Sequence, residues 1–453
     1  MKRALLAAAV PALFLCGNLA TRGVLAGAPG RLASDLAQPL PVVTAWSGFG
    51  AATFAIFALT LGAAGLAAFL YAAAIRDALP APSLDRTTWL CAIAAALAAL
   101  TWPVVYSSDV YAYAAYGEMA LHGLDPYLAA PPEFHARFTD LARRQWSGTF
   151  PPCIYGTLFV ELARGIVALV GRDAAATLLA FRALAATAWL AAAYVFSLVA
   201  CRWFPERRAV ALALFALNPL GVWCAAEGHN DALMLLVALL GALAVARGAF
   251  FAGGLALGLT PLLKAAGAAA GVPLALYVAA RATPRRALLV WAGYAAGLAG
   301  AGVLLAGPMW PALTALRVHG TYAPQVSLQS LTGAIPGLAL AVLATLTGLR
   351  ALARGDASGA VWLALALPLA LPNPYPWYMM WVLPVAAAAR GRAGAWLWIG
   401  TIAGSLRYLP DALGPLRSDS NMLAATLSLV PFAVVAIVLL RAPAARPQTR
   451  LTA

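Results

Sequence analysis

The stretch SSDVYAYAAYGEMALHGLDPY (107–127) interrupts a chain that is otherwise almost continuously apolar. It holds Asp109, Glu118 and Asp125, four tyrosines and the turn sequence GLDPY. Around it, uncharged runs of about 20 residues recur, each long enough to cross hydrocarbon. The chain of 453 residues is 63% hydrophobic and 10% charged, far more apolar than a soluble protein. Barrel strands would alternate apolar and polar residues, and these runs do not. The fold class expected is an all-α polytopic integral membrane protein.

The net charge of +14 does not point to nucleic acid. The arginines stand in short clusters between apolar runs, the distribution that orients a membrane protein. The five cysteines form no CxxC and read as small buried apolar residues. Met1 to about Ala26 has a basic start and an apolar run, and is read as an uncleaved first span rather than a signal peptide.

Threading starts with Lys2 and Arg3 inside. Spans over about 4–27, 48–75 and 87–106 then place 107–127 outside. The next crossing, about 174–201, ends at Arg202, Arg207 and Arg208. Counting 151–172 as a further crossing would put those arginines outside. That segment also carries Glu161, Arg164 and Arg172, which are costly within a bilayer. It is therefore read as an amphipathic helix at the outer interface, and 107–172 as one large extracytoplasmic loop. Later spans are expected at about 208–225, 229–247, 249–265, 267–281, 287–307, 329–349, 357–372, 376–390, 393–409 and 421–441. The total is about 14 crossings, in a single domain over 1–453. Outside remain Arg137, Arg143, Arg144, Arg164, Arg172, Arg317, Arg407 and Arg417, mostly in the large loop and in 308–328.

On this threading, four polar clusters meet at one face. Asp109 follows the third span at the membrane boundary, open to a helix-cap reading and to a catalytic one. Tyr113 and its neighbours suit interface anchors or a sugar-facing wall. Glu118 and Asp125 read as polar or loop-shaping contacts. NPLGVWCAAEGHND (218–231) sets Glu227, His229, Asn230 and Asp231 close together, as a capped turn or a sugar-recognition site. A single histidine among acids is thin support for a metal. Lys264 is the only lysine after Lys2, and either snorkels to the headgroups or meets a phosphate. LPNPYPWYMMWVLP (371–384) breaks the helix pattern with prolines. Its Tyr375, Trp377 and Tyr378 suit an aromatic belt or a sugar ring, as does Trp381. Arg182, within an apolar span, needs a partner, either a phosphate or a loop carboxylate. His319 reads as an ordinary loop residue.

The motifs SSDVYAYAAYGEMALHGLDPY, PPCIYGTLFVEL, NPLGVWCAAEGHNDALM and PYPWYMMWVLP occur in that order. Together they resemble the polyprenyl-phosphate-mannose-dependent α-1,6-mannosyltransferases of mycobacteria and corynebacteria, in the C-type glycosyltransferase superfamily. Thr157 stands where that family more often has proline. The resemblance implies a bundle of about 13–14 transmembrane helices with a large first outer loop that contains amphipathic helices. It also implies an extracytoplasmic active site and a polyprenyl-phosphate-sugar donor. Asp109 matches the family's proposed base. The substrate-binding set is then Tyr113, Glu118, Arg182, Glu227, His229, Asn230, Asp231, Lys264, Tyr375, Trp377 and Tyr378.

The expected enzyme is a hexosyltransferase of the plasma (inner) membrane, acting in cell-envelope glycan synthesis. It would transfer mannose with inversion to a glycan or lipid-linked acceptor. Membrane lipids are expected partners and nucleic acid is not. Cofactor use stays open, with a divalent cation as the candidate. A transporter or lipid-linked-sugar flippase is the alternative, though transporters gather their ionisable groups near the midplane.

Overall fold

The computed structural model describes residues 2–26, 50–76, 82–104, 106–146, 148–269, 271–281, 283–305, 324–413 and 419–441. Three helices open the chain: α1 (Lys2–Ala26), α2 (Ala51–Ile75) and α3 (Pro82–Leu100). The polar stretch gives α4 (Asp109–Leu121), followed by α5 (Arg137–Gln145) and α6 (Thr157–Val170). The bundle resumes with α7 (Ala174–Trp203), α8 (Arg208–Ala216), α9 (Pro219–Ala226), α10 (Asp231–Ala246) and α11 (Phe250–Leu259). Then come α12 (Gly271–Arg281), α13 (Pro284–Leu305), α14 (Leu328–Thr332), α15 (Ala334–Ala353) and α16 (Ser358–Ala370). The last are α17 (Met379–Ala388), α18 (Gly391–Ala403), α19 (Leu409–Leu413) and α20 (Ser420–Arg441). The described residues contain no strand, only one isolated antiparallel bridge between Tyr155 and Lys264.

Six of these helices are singly long and apolar enough to cross a membrane: α1, α2, α7, α13, α15 and α20. Their large apolar side chains, such as Leu59, Leu66, Ile335 and Leu343, lie exposed, as lipid-facing residues do. The protein is an all-α multi-pass membrane protein. Several other expected spans are shortened or broken where the sequence demands it. The expected 208–225 span bends by 48° between α8 and α9. There Asn218 accepts the Gly221 N–H at 2.9 Å and Pro219 opens the next helix, a side-chain cap followed by a residue with no N–H to lose. The expected 267–281 span is preceded by two 3-10 turns, Thr260–Leu262 and Ala265–Ala269, with Lys264 between them. Pro372, Pro374 and Pro376 keep the chain out of a helix until the 3-10 turn Pro376–Tyr378 leads into α17.

α11 and α13 cross at backbone contact. Gly254 and Gly258 on one helix meet Gly293 and Gly297 on the other. A Cβ at any of the four would collide with a carbonyl oxygen across the interface. Small residues four apart permit this approach, and close packing replaces the hydrophobic drive that lipid removes.

The 107–172 loop is a packed unit with its own core. Tyr111, Tyr113, Phe138, Phe150 and Phe159 are buried together with Leu178 and Phe181 of α7, Met234 of α10 and Leu263. The amphipathic helix expected over 151–172 is α6, whose Glu161 and Arg164 pair at its exposed surface.

Candidate active site

The loop unit is fastened from within. Glu118 Oε2 accepts the backbone N–H groups of Phe138 and Thr139, at 2.9 and 2.7 Å, and the Thr139 hydroxyl at 2.9 Å. A carboxylate there meets the free N–H groups that open α5 and favours the positive end of that helix. Asp125 turns GLDPY by accepting the Tyr127 N–H at 2.9 Å. Tyr155 and Gly156 then run beside the segment after α11. The Gly156 N–H reaches the Leu263 carbonyl at 3.2 Å, and any Cβ at Gly156 would strike the Leu262 backbone. This contact delivers Tyr155 to the site.

Asp109 is the first residue of α4, and Ser108, its N-cap residue, makes no side-chain capping bond. Asp109 Oδ2 lies 3.4 Å from the Tyr113 hydroxyl, 3.5 Å from the Tyr155 hydroxyl and 3.5 Å from His229 Nδ1. These are long contacts, each short of a tight hydrogen bond. The Asp109 side chain is 22% exposed and that of His229 1%, so the carboxylate is the accessible end of the group. Burial pushes its pKa up. The hydrogen bond and charge of His229, the Lys264 ammonium and the Tyr113 hydroxyl outweigh that, and the carboxyl ends below the ordinary aspartate value.

His229 follows Gly228, whose φ of +94° suits glycine and strains other residues. On its far side, His229 Nε2 is 3.9 Å from Glu227 Oε2. The imidazole stacks on Trp377, with centroids 4.2 Å apart, and Trp377 stacks on Tyr375 at 4.6 Å. The Arg407 guanidinium covers the Tyr375 ring at 4.9 Å. Four flat groups thus form a column that starts beside Asp109.

Lys264 sits in an aromatic box 5.2–5.6 Å from the rings of Tyr155, Tyr378 and Trp381. Its ammonium donates to both oxygens of Asp231 at 2.8 Å. Asp231 is wholly buried and also accepts the Trp381 indole N–H at 2.7 Å. Tyr155 touches both centres, so the Asp109 group and the Lys264 pair are contiguous.

The structure therefore brings together Asp109, Tyr113, Glu227, His229, Asp231, Lys264, Tyr375, Trp377 and Tyr378. Asn230 is 1% exposed, and neither side-chain polar atom has a hydrogen-bond partner. Glu118 and Arg182, expected to meet substrate, are committed to the protein's own backbone. Arg182 donates to the Ala226 carbonyl at 2.6 Å and to that of Trp102 at 3.0 Å. It joins the ends of α9 and α3, the segments that lead into His229 and Asp109. Among the described residues no group of three His, Cys, Asp or Glu is placed to hold a metal ion. His319 lies outside the described residues.

Three residues of this arrangement escaped the candidate set. Tyr155 carried a signal in its own motif, an aromatic beside glycine between prolines and a helix. Trp381 repeats Trp377 at a helical interval, which puts both on one face. Arg407 stood out as an arginine on the outer side, against the charge rule.

Fold and site define a multi-pass helical membrane protein with a polar, aromatic-walled centre. The chain belongs to the alpha-(1->6)-mannopyranosyltransferase family: the model of that family's N-terminal domain matches residues 14–281. An alpha-(1->6)-mannopyranosyltransferase of Mycobacterium tuberculosis is 35% identical over 143 residues, 31% of this chain and 24% of that protein. A probable alpha-(1->6)-mannopyranosyltransferase of Mycolicibacterium smegmatis is 38% identical over 93 residues, 20% of this chain and 16% of that protein. The matched segments thus span a quarter or less of these relatives' lengths. No solved structure matches significantly.

Proposed function

We propose that the protein transfers a hexose, of the mannose class named for its family, from a polyprenyl-phosphate-sugar donor to a glycan or lipid-linked acceptor. The chemistry lies on the extracytoplasmic side of the plasma membrane. The observation that carries this reading is the Asp109 carboxylate. It is partly exposed, held ionised, and set where an apolar bundle meets a buried polar group.

Asp109 takes the proton of the acceptor hydroxyl as that oxygen attacks the anomeric carbon. The bond from that carbon to the lipid-phosphate oxygen breaks, and the phosphate leaves with the electron pair. One displacement inverts the anomeric carbon. Lys264 supplies positive charge near the leaving group, and the Asp231 carboxylate fixes its position. Trp377 and Tyr375 offer flat faces to the sugar, and Asn230 a free carboxamide for its hydroxyls.

The test is transfer from polyprenyl-phosphate mannose to candidate acceptors, wild type beside Asp109→Asn. Transfer by the wild type with near-loss in the variant is expected. Undiminished transfer by Asp109→Asn would sink the base assignment. Vectorial movement of the lipid without bond formation would favour a flippase.

A further inference from the structure

The stretch WCAAEGH (223–229) ends α9 and sets two titratable side chains two residues apart. Glu227 is the C-cap residue, in the turn between α9 and α10. The Gly228 N–H bonds the Ala225 carbonyl at 3.0 Å, and the His229 N–H bonds that of Cys224 at 3.2 Å. With the positive φ of Gly228, these two bonds make a Schellman stop. The backbone under both side chains is thereby fixed, and Trp377 stacks on the imidazole from one face. The Glu227 side chain is 3% exposed, so it is closed to substrate.

Among the described residues, neither oxygen of Glu227 nor either ring nitrogen of His229 is tightly hydrogen-bonded. Buried polar groups left so are costly unless they serve one another. The ring has a carboxyl on each side: Asp109 Oδ2 is 3.5 Å from Nδ1, and Glu227 Oε2 is 3.9 Å from Nε2. A neutral imidazole has one N–H and one acceptor nitrogen, and the bond made by one nitrogen decides the other. Two ionised carboxylates would compete for its single proton. Burial pushes the Glu227 carboxyl well above the ordinary glutamate value, against the Arg182 charge and a backbone contact from Tyr106. The more open Asp109 goes the other way. The remaining titratable groups facing Glu227 are the Tyr106 and Tyr408 phenols and the Cys224 thiol, types that carry little charge near neutral pH.

We propose that Glu227 is a positioning residue: its carboxyl O–H donates to His229 Nε2 and leaves the ring proton on Nδ1, facing Asp109. The imidazole then meets the base as a donor and never with a lone pair. Contacts of this length often tighten as substrate binds. The arrangement rests on the Asp109 base reading above and adds what sets the histidine beside it.

The full chain, labelled with nitrogen-15 histidine, is read by NMR in detergent. It has four histidines, and His229→Gln identifies the His229 signals. Wild type is expected to carry a proton on Nδ1. Its infrared spectrum should show the carbonyl stretch of a neutral carboxylic acid that Glu227→Gln lacks. Glu227→Met removes the donor, so the Nε2–H form should appear and kcat should fall about tenfold, with KM for the donor little changed. Glu227→Gln keeps an N–H for Nε2 and should recover the wild-type ring pattern and most of kcat. Glu227→Met added to His229→Gln should cost nothing further, as for residues that act through one another. A bare Nδ1 in wild type, or no acid band lost in Glu227→Gln, overturns the proposal even if Glu227→Met does not fold. Unchanged ring nitrogens and full kcat in Glu227→Met overturn it and leave the transferase reading intact. Absence of sugar transfer by wild type sinks that reading instead, while the ring and infrared arms still decide the role of Glu227.

Discussion

Asp231 holds Lys264 with both carboxylate oxygens and takes the Trp381 indole N–H on one of them. A buried pair of this kind offsets its own desolvation only while it is whole, and removing one partner strands the other charge. Lys264→Met or Asp231→Leu alone should each cost about 3–5 kcal/mol. The joint change should restore much of that stability without restoring transfer. Thermal unfolding in detergent, read as a double-mutant cycle, measures the coupling, and additive losses would deny it.

As the proposed base, Asp109 should set the acid limb of activity. Its carboxyl lies below the ordinary aspartate value, which is about 3.9, so transfer should persist down to that range. A depressed carboxyl stabilises the fold above its unfolded pKa. That contribution is lost as pH falls through the folded pKa. His229→Gln removes a supporting neighbour, and the acid limb of kcat/KM should move upward. An unmoved limb would separate His229 from Asp109.

The glycine crossing of α11 and α13 tolerates no side chain. Gly258→Val or Gly297→Val should destabilise by about 1–3 kcal/mol or more, as overpacking does. Gly300→Ala, where nothing lies within 4 Å of a Cβ, should be neutral. Detergent melting temperatures compare the three.

Gly228 supplies the positive φ that turns the chain into His229. Gly228→Ala should introduce strain of about 1–2 kcal/mol and shift the imidazole. The expected result is a larger loss in kcat than in melting temperature.

Glu118 spends one carboxylate oxygen on Phe138 and Thr139 at the start of α5. Glu118→Ala leaves the opened α5 N-terminus unpaired and should cost about 1–3 kcal/mol. Protease sensitivity of 107–172 should rise. KM for the donor should stay close to wild type, and a selective rise in that KM would return Glu118 to the substrate.

Helix positions were readable wherever an apolar run ended in arginine, as at Ala174–Trp203 and Ser420–Arg441. Charge asymmetry and hydropathy are local signals. The breaks at Asn218 and at Pro372 to Pro376 were equally plain. The glycines at 254 and 258, and at 293 and 297, stand four apart in the sequence, but spacing within one helix does not name its partner. Arg182 shows the limit most clearly. It was expected to meet a phosphate or a loop carboxylate, and it meets backbone carbonyls instead. That the partners are the carbonyls of Ala226 and Trp102 depends on where two other helices end. The alignment of Arg407 with Tyr375 and His229 comes likewise from tertiary packing.

The four-membered column has a consequence for biosynthesis. A chain emerges from the ribosome amino end first, so Asp109 and His229 reach the membrane long before Trp377 and Arg407. The nascent protein carries Asp109 and the loop around it while the far end of the column is still unmade. Only when the turn after α18 has been inserted does the last member arrive. A nascent chain that lacks that turn therefore lacks one member of the column.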